Sequence, residues 1–246
     1  MAEAKQMLSG RIYTELREAI LRGDFAPGAA LKPQELAGAH GVSLAVVREA
    51  LVRLVGDGLA DRLTNRGFAV PERSDQRWQD VAEARRTLEP ATLRLAIARG
   101  DLDWEARVRA AHHRLARTPA LDPAGAPGGE VHGKTIGPGG KAGGPGGEAS
   151  GKGVGEATRV NPEWSRAHRD FHRTLLEGCG NAVLLATFDR LWLASELVRA
   201  WAAGRAPDRD HVGEHRRLEE ATLARDADTA AALLERHLSL TAASLR

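Results

Sequence analysis

The sequence predicts a mainly α-helical protein, with an N-terminal winged helix-turn-helix followed by an all-α helical bundle. Three observations carry that prediction. Aromatic residues make up only 4% of the chain and β-branched runs are scarce, which argues against a sandwich or barrel. Helical patterns run throughout from Ser74 onward. Near the start, a helical pattern, a turn opening on Gly41 and a second pattern led by Ser43 follow in direct succession. At roughly 150 residues per domain, 246 residues accommodate two modest domains, which we place at 9–71 and 74–246.

Each element has its own signal. Ile12, Leu16, Ala19 and Ile20 mark one face of a first helix that ends at Gly23, ahead of the Pro27-Gly28 turn. Pro33 opens a second helix at a position where its missing N–H costs nothing. Ser43 is a good N-cap for a third helix, which gathers Val47, Ala50, Leu51 and Leu54 on one side. Leu59–Leu63 and Phe68–Val70 then read as a hairpin around Thr64-Asn65-Arg66-Gly67. Beyond Ser74, Val81, Leu88 and Leu95 suggest one long helix kinked at Pro90. Five more follow, at about 102–115, 163–177, 182–201, 208–225 and 228–245. Fourteen of the 27 glycines fall between residues 121 and 156, so about 118–162 is expected to be a disordered insertion in the bundle.

Composition narrows the function. With 35 basic and 33 acidic residues, the net charge of +2 says little about partners. The single cysteine, Cys179, excludes a disulfide framework and a multi-thiolate zinc site, and it reads as a small packed residue. No apolar run approaches the length of about 18 residues a membrane span needs, and Met1–Leu8 is polar, so the expectation is a cytoplasmic protein with no membrane partner. A helix-turn-helix would lay its second helix in the major groove, with Ser43–Val47 nearest the bases and Arg48 at a phosphate or base edge. The hairpin would be a wing with Arg66 and Gly67 at its tip, where an arginine suits a narrow minor groove.

Four histidines have informative spacing. His168 and His172 are one helical turn apart, so both imidazoles share a face, as chelation requires. His215 and His237 lie on the last two helices, which a short turn can bring together in a bundle core. Spacing alone also fits packed or solvated histidines. His112 and His113 read as solvated, and the five tryptophans as core or dimer contacts.

The ordered residues Tyr13, Leu16, Arg17, Pro27-Gly28, Glu35-Leu36-Ala37, Gly41-Val42-Ser43, Val47-Arg48-Glu49-Ala50-Leu51 and Asn65-Arg66-Gly67-Phe68 resemble the winged-helix domain of GntR-family transcription regulators. The resemblance implies operator binding. It also exposes two departures, because the family usually has arginine where Leu44 and Gln34 stand. Arginine reads guanine bidentately, so a different operator is implied, with Gln34 able to pair with adenine and Leu44 to touch a thymine methyl. The DNA-contacting set is then Gln34, Ser43, Leu44, Ala45, Arg48, Arg66 and Gly67.

The second part resembles the FCD ligand-binding domain of the FadR-type branch, through Arg85-Arg86-Thr87-Leu88-Glu89-Pro90, Phe171-His172 with Asn181, and the segment from His215 to His237. Many such domains hold a divalent metal with one aspartate and three histidines and bind a small carboxylate beside it. His172, His215 and His237 match the histidines, and His168 stands where the aspartate would. Two alternatives stay open. Four neutral imidazoles, His168, His172, His215 and His237, favour zinc, nickel or a similar transition metal. Otherwise Arg85, His172, His215 and His237 bind an organic anion directly, Arg85 serving as the carboxylate fork.

The expectation is therefore a homodimeric transcription regulator, a repressor in the first instance, that binds a palindromic operator and answers a small organic acid. A metal-dependent hydrolase is the alternative, but no HExxH motif or paired carboxylates accompany the histidines. A helical protein-interaction module is the other.

Overall fold

The computed structural model describes residues 2–64, 67–121, 161–201 and 210–244. Most of the glycine-rich stretch at 118–162 lies outside these residues, as does Arg66. Helix α1 (Ala2–Arg22) is followed by strand β1 (Ala30–Leu31), α2 (Pro33–His40) and α3 (Leu44–Gly56). Strands β2 (Asp61–Leu63) and β3 (Gly67–Ala69) complete the first part. The second part is α4 (Asp75–Arg99), α5 (Leu102–Arg117), α6 (Pro162–Glu177), α7 (Ala182–Trp201), α8 (His211–Leu223) and α9 (Ala227–Ser244).

Local chemistry accounts for the helix-turn-helix. Pro33 starts α2, and Gly41 ends it at φ 62°, a left-handed conformation that glycine adopts without a Cβ penalty. The Ser43 side chain then accepts a hydrogen bond from the Val46 N–H and so caps α3. Val46, Val47, Ala50, Leu51 and Leu54 of α3 are buried against Ile12, Leu16 and Ile20 of α1. The Tyr13 hydroxyl donates to Asp57 at the end of α3, and burial together with that carboxylate raises its pKa to about 12.

The wing is a small antiparallel sheet in the order β1-β3-β2, with Leu31 and Arg62 both opposite Phe68. Strand β1 is an addition to the sequence reading, since two residues are too few to carry a periodic signal. Helix α1 also begins earlier than its apolar stripe, at Ala2.

In the bundle, α4 runs unbroken through Pro90. Its buried face is Trp78, Ala82, Arg85, Glu89, Leu93 and Ala96, so Val81, Leu88 and Leu95, only half-buried, are not its centre. Two of the inward positions are charged, which blurs the apolar period. Gly178, after α6, sits where a Cβ would come within 2.7 Å of the Ala96 carbonyl oxygen and 2.9 Å of Trp104, so α6 can approach α4 closely only with glycine there. Asp226 caps α9 through the Thr229 N–H. Arg225, in the α8–α9 turn at φ 56°, donates to the carbonyls of Ile97 and Gly100 and to Glu105, which ties that turn to α4 and α5.

Two large cores result. One lies inside the bundle, around Trp104, Phe171, Phe188 and Trp192. The other fills the winged part, and it includes Leu193 and Leu197 of α7, 6% and 2% exposed. Arg77 of α4 adds a second tie, to the Gly58 carbonyl and Asp61. No described helix is long and apolar enough to cross a membrane.

Candidate functional site

The four histidines converge. His168 and His172 of α6, His215 of α8 and His237 of α9 each offer a ring nitrogen, all within 4.8 Å of one another, and all four side chains are buried. Helix α6 brings its pair by one-turn spacing, with Phe171, Leu175 and Leu176 anchoring the same helix in the core. The short α8–α9 turn folds His237 back beside His215 across 22 residues of sequence. His215 Nε2 lies 3.1 Å from His168 Nε2 and 3.4 Å from His172 Nε2.

Burial is the main reason that His168, His172 and His215 are held well below the usual imidazole pKa, and the neighbouring histidines push the same way. Neutral rings keep a lone pair free to ligate. The Nε2 separations are close to the edge of about 3.3–3.4 Å between nitrogens of a tetrahedron with metal–nitrogen bonds of about 2.0–2.1 Å. His237 Nδ1 meets Glu214 Oε2 at 2.8 Å, and an ionised carboxylate can only accept. That contact places the proton on Nδ1, so that Nε2 is the nitrogen carrying the lone pair, the orienting arrangement common behind metal-bound histidines. The donor set therefore fits a first-row transition metal, and it lacks the oxygen ligands that magnesium or calcium requires.

Arg85 is placed differently from the sequence reading. It is 3% exposed, its Nε and Nη2 both face the Glu89 carboxylate, and Nη1 donates to Ser195 Oγ at 3.1 Å. The Nε–Nη2 side of its fork is taken by a residue one turn along the same helix, and together with the bond to Ser195 these contacts use three of the five guanidinium N–H donors. The surroundings that sequence reasoning missed come chiefly from α7. Trp192 is flanked by the Arg85 and Arg199 guanidinium carbons, each 4.8 Å from its ring centre, and its ring lies 5.2 Å from that of His168 and 5.3 Å from that of His172. Arg199 Nη1 comes within 3.5 Å of His168 Nδ1, while its Nη2 pairs with Glu196 at 2.8 Å. Trp192, Ser195 and Arg199 are spaced i, i+3, i+7 on one face of α7, of which the sequence reading singled out only Trp192, as a core or dimer contact. Trp164 stacks on His168 at 4.6 Å.

His112 is not solvated as expected. It is 9% exposed and paired with Glu219, whereas His113 is exposed. Beside it, a cavity of about 300 Å³ opens between α5, α6 and α8, lined by His112, Leu115, Trp164, His211, Val212 and His215 among others.

At the other end of the molecule, Gln34, Ser43, Leu44, Ala45 and Arg48 are all exposed on α2 and the start of α3. Gly67 opens β3 and is half-buried. Cys179 is fully buried at the end of α6.

A helix-turn-helix with a wing, docked on a helical domain that encloses a histidine cluster, is the architecture of a DNA-binding regulator. Comparisons with known proteins agree. Residues 8–70 match the bacterial regulatory proteins of the gntR family, and residues 154–240 match the FCD domain. The HTH-type transcriptional regulator BphR of Paraburkholderia xenovorans strain LB400 is 30% identical over 227 residues, covering 92% of this chain and 80% of that protein. The HTH-type transcriptional repressor GlaR of Escherichia coli K12 is 29% identical over 231 residues, covering 92% and 90%. Among solved structures, Escherichia coli McbR/YncC superposes with a TM-score of 0.66 at 20% identity, over 97% of this chain and 96% of that one. A GntR regulator from Rhodococcus sp. RHA1 gives 0.64 at 21% identity, over 96% of each. The chain belongs to the GntR family and carries an FCD domain; it is a DNA-binding transcription regulator and not an enzyme.

Proposed function

We propose that the protein is a cytoplasmic, homodimeric repressor whose grip on a palindromic operator is adjusted by a small organic acid bound at a metal-holding histidine cluster. In this reading, residues 9–71 form the reading head and 74–246 the sensing and dimerising part. Repression is the sign favoured by the likeness to GlaR, which is named a repressor. The exposed Gln34, Ser43, Leu44, Ala45 and Arg48 face the major groove, and Gly67 with Arg66, which lies outside the described residues, is assigned to the minor groove. His172, His215 and His237, with His168 as the fourth donor, would hold a zinc- or nickel-like ion, which would act as a Lewis acid toward a carboxylate oxygen by expanding its coordination. The cavity of about 300 Å³ beside His215 is the size of a small-molecule site.

The observation that carries the coupling is the double use of α7. Its Leu193 and Leu197 belong to the core of the reading head, while Trp192, Ser195 and Arg199 of the same helix stand against the cluster and Arg85. A ligand that prefers one position of α7 would reposition the reading head, since only differential affinity can shift a population.

Two measurements on the full chain test this reading. Binding to its own upstream duplex, at fixed salt, should weaken about tenfold or more for Arg48→Ala. Metal analysis of tag-free protein should find close to one transition-metal ion per chain. Unchanged DNA affinity in Arg48→Ala would overturn the interface, and metal below about a tenth of an equivalent would overturn the ion.

A further inference from the structure

Tryptophan has one polar group, an N–H donor, and a buried indole usually finds an acceptor for it. Trp78 donates to the Ala242 carbonyl at 3.1 Å and Trp104 to the Thr174 carbonyl at 2.8 Å. Trp192 is 1% exposed, and its Nε1 is buried with no hydrogen-bond partner. Orphaned buried donors are rare in folded proteins, so this one calls for an acceptor that the described residues do not provide.

Its surroundings say which kind. The ring lies beside His168 and His172 and has guanidinium groups 4.8 Å away on both Arg85 and Arg199. A cation over an aromatic face draws on the π electrons. That pull leaves the indole N–H more positive and better matched to an anionic acceptor than to a neutral one. The Nε–Nη2 side of Arg85, the donor first expected to meet a carboxylate, is already taken by Glu89.

We infer that Trp192 is an effector-binding residue, whose indole N–H donates to a carboxylate oxygen of an organic anion lying beside the histidine cluster. This rests on the proposed function and deepens it, by naming a donor that selects anions within the same site. It also puts the effector contact next to Leu193 in the chain, one residue from the packing of the reading head.

The test uses full-length protein with one equivalent of zinc, and acetate, succinate and citrate as probes. By calorimetry, at least one probe should bind the wild type, and Trp192→Phe, which keeps an aromatic ring there but loses the N–H, should bind it about tenfold more weakly. In protein carrying ¹⁵N-labelled tryptophan, the indole N–H resonance deleted by Trp192→Phe should move downfield when that probe is added to the wild type. A probe that binds both proteins equally, or that binds without moving this resonance, overturns the assignment of Trp192 while leaving the sensory reading intact. If none of the probes binds the wild type, the sensory reading fails and the inference falls with it.

Discussion

Arg85 and Glu89, with side chains 4% and 0% exposed, form an ion pair four residues apart on α4. Taking two charges out of water is costly, and removing one partner leaves the other uncompensated. Arg85→Met should therefore destabilise the fold by about 3–5 kcal/mol, whereas a joint apolar replacement of both residues should come out near neutral or better. Urea unfolding of the single and double variants checks this, and equal losses in both would contradict it. The same pair shows where residue-level reading stops. The four histidines were legible because helical spacing and short turns decide which rings share a face. Arg85 was read as a fork for a carboxylate effector, but a sequence does not show that Glu89 takes one side of that fork. Trp192 was read as a core or dimer contact, its burial fits the first of these, and its N–H without a partner among the described residues is a fact of three dimensions only.

At the scale of elements, the helix-turn-helix and the helix ends that carry caps were legible because caps are local chemistry, as Ser43, Gly41 and Pro33 show. The inner face of α4 was not, since charged Arg85 and Glu89 break its apolar stripe. The role of α7 was hidden for a different reason. Its two working faces, Leu193 with Leu197 and Trp192 with Ser195 and Arg199, are both inward, so its pattern carries no contrast between core and water. Leu197→Ala should open a cavity at the seam with the reading head and cost about 2–5 kcal/mol of stability. More specifically, it should shrink any response of DNA affinity to metal, measured by anisotropy with a labelled duplex. A full response in this variant would mean that α7 is not the route.

Over the whole molecule, a net charge of +2 supplies no strong overall field, so the grip on DNA has to come from the local face of α2, α3 and the wing. Acid should loosen the fold through the histidine cluster. Native His168, His172 and His215 are held well below 6.5, while the unfolded chain titrates near 6.5. Below that pH the unfolded state binds protons that the native state refuses, so stability is flat above about pH 6.5 and falls beneath it. Each histidine contributes up to about 1.4 kcal/mol per pH unit. Thermal unfolding of metal-free protein should show Tm dropping from about pH 6.5 toward 5, and a Tm indifferent to pH there would contradict the buried, neutral cluster. The most direct trial of the central claim is the affinity of the full chain for its own upstream duplex, at one salt concentration, before and after chelator treatment and again after zinc is restored. The account predicts a reversible change of severalfold or more in that affinity, and superimposable binding curves in the three states would contradict it.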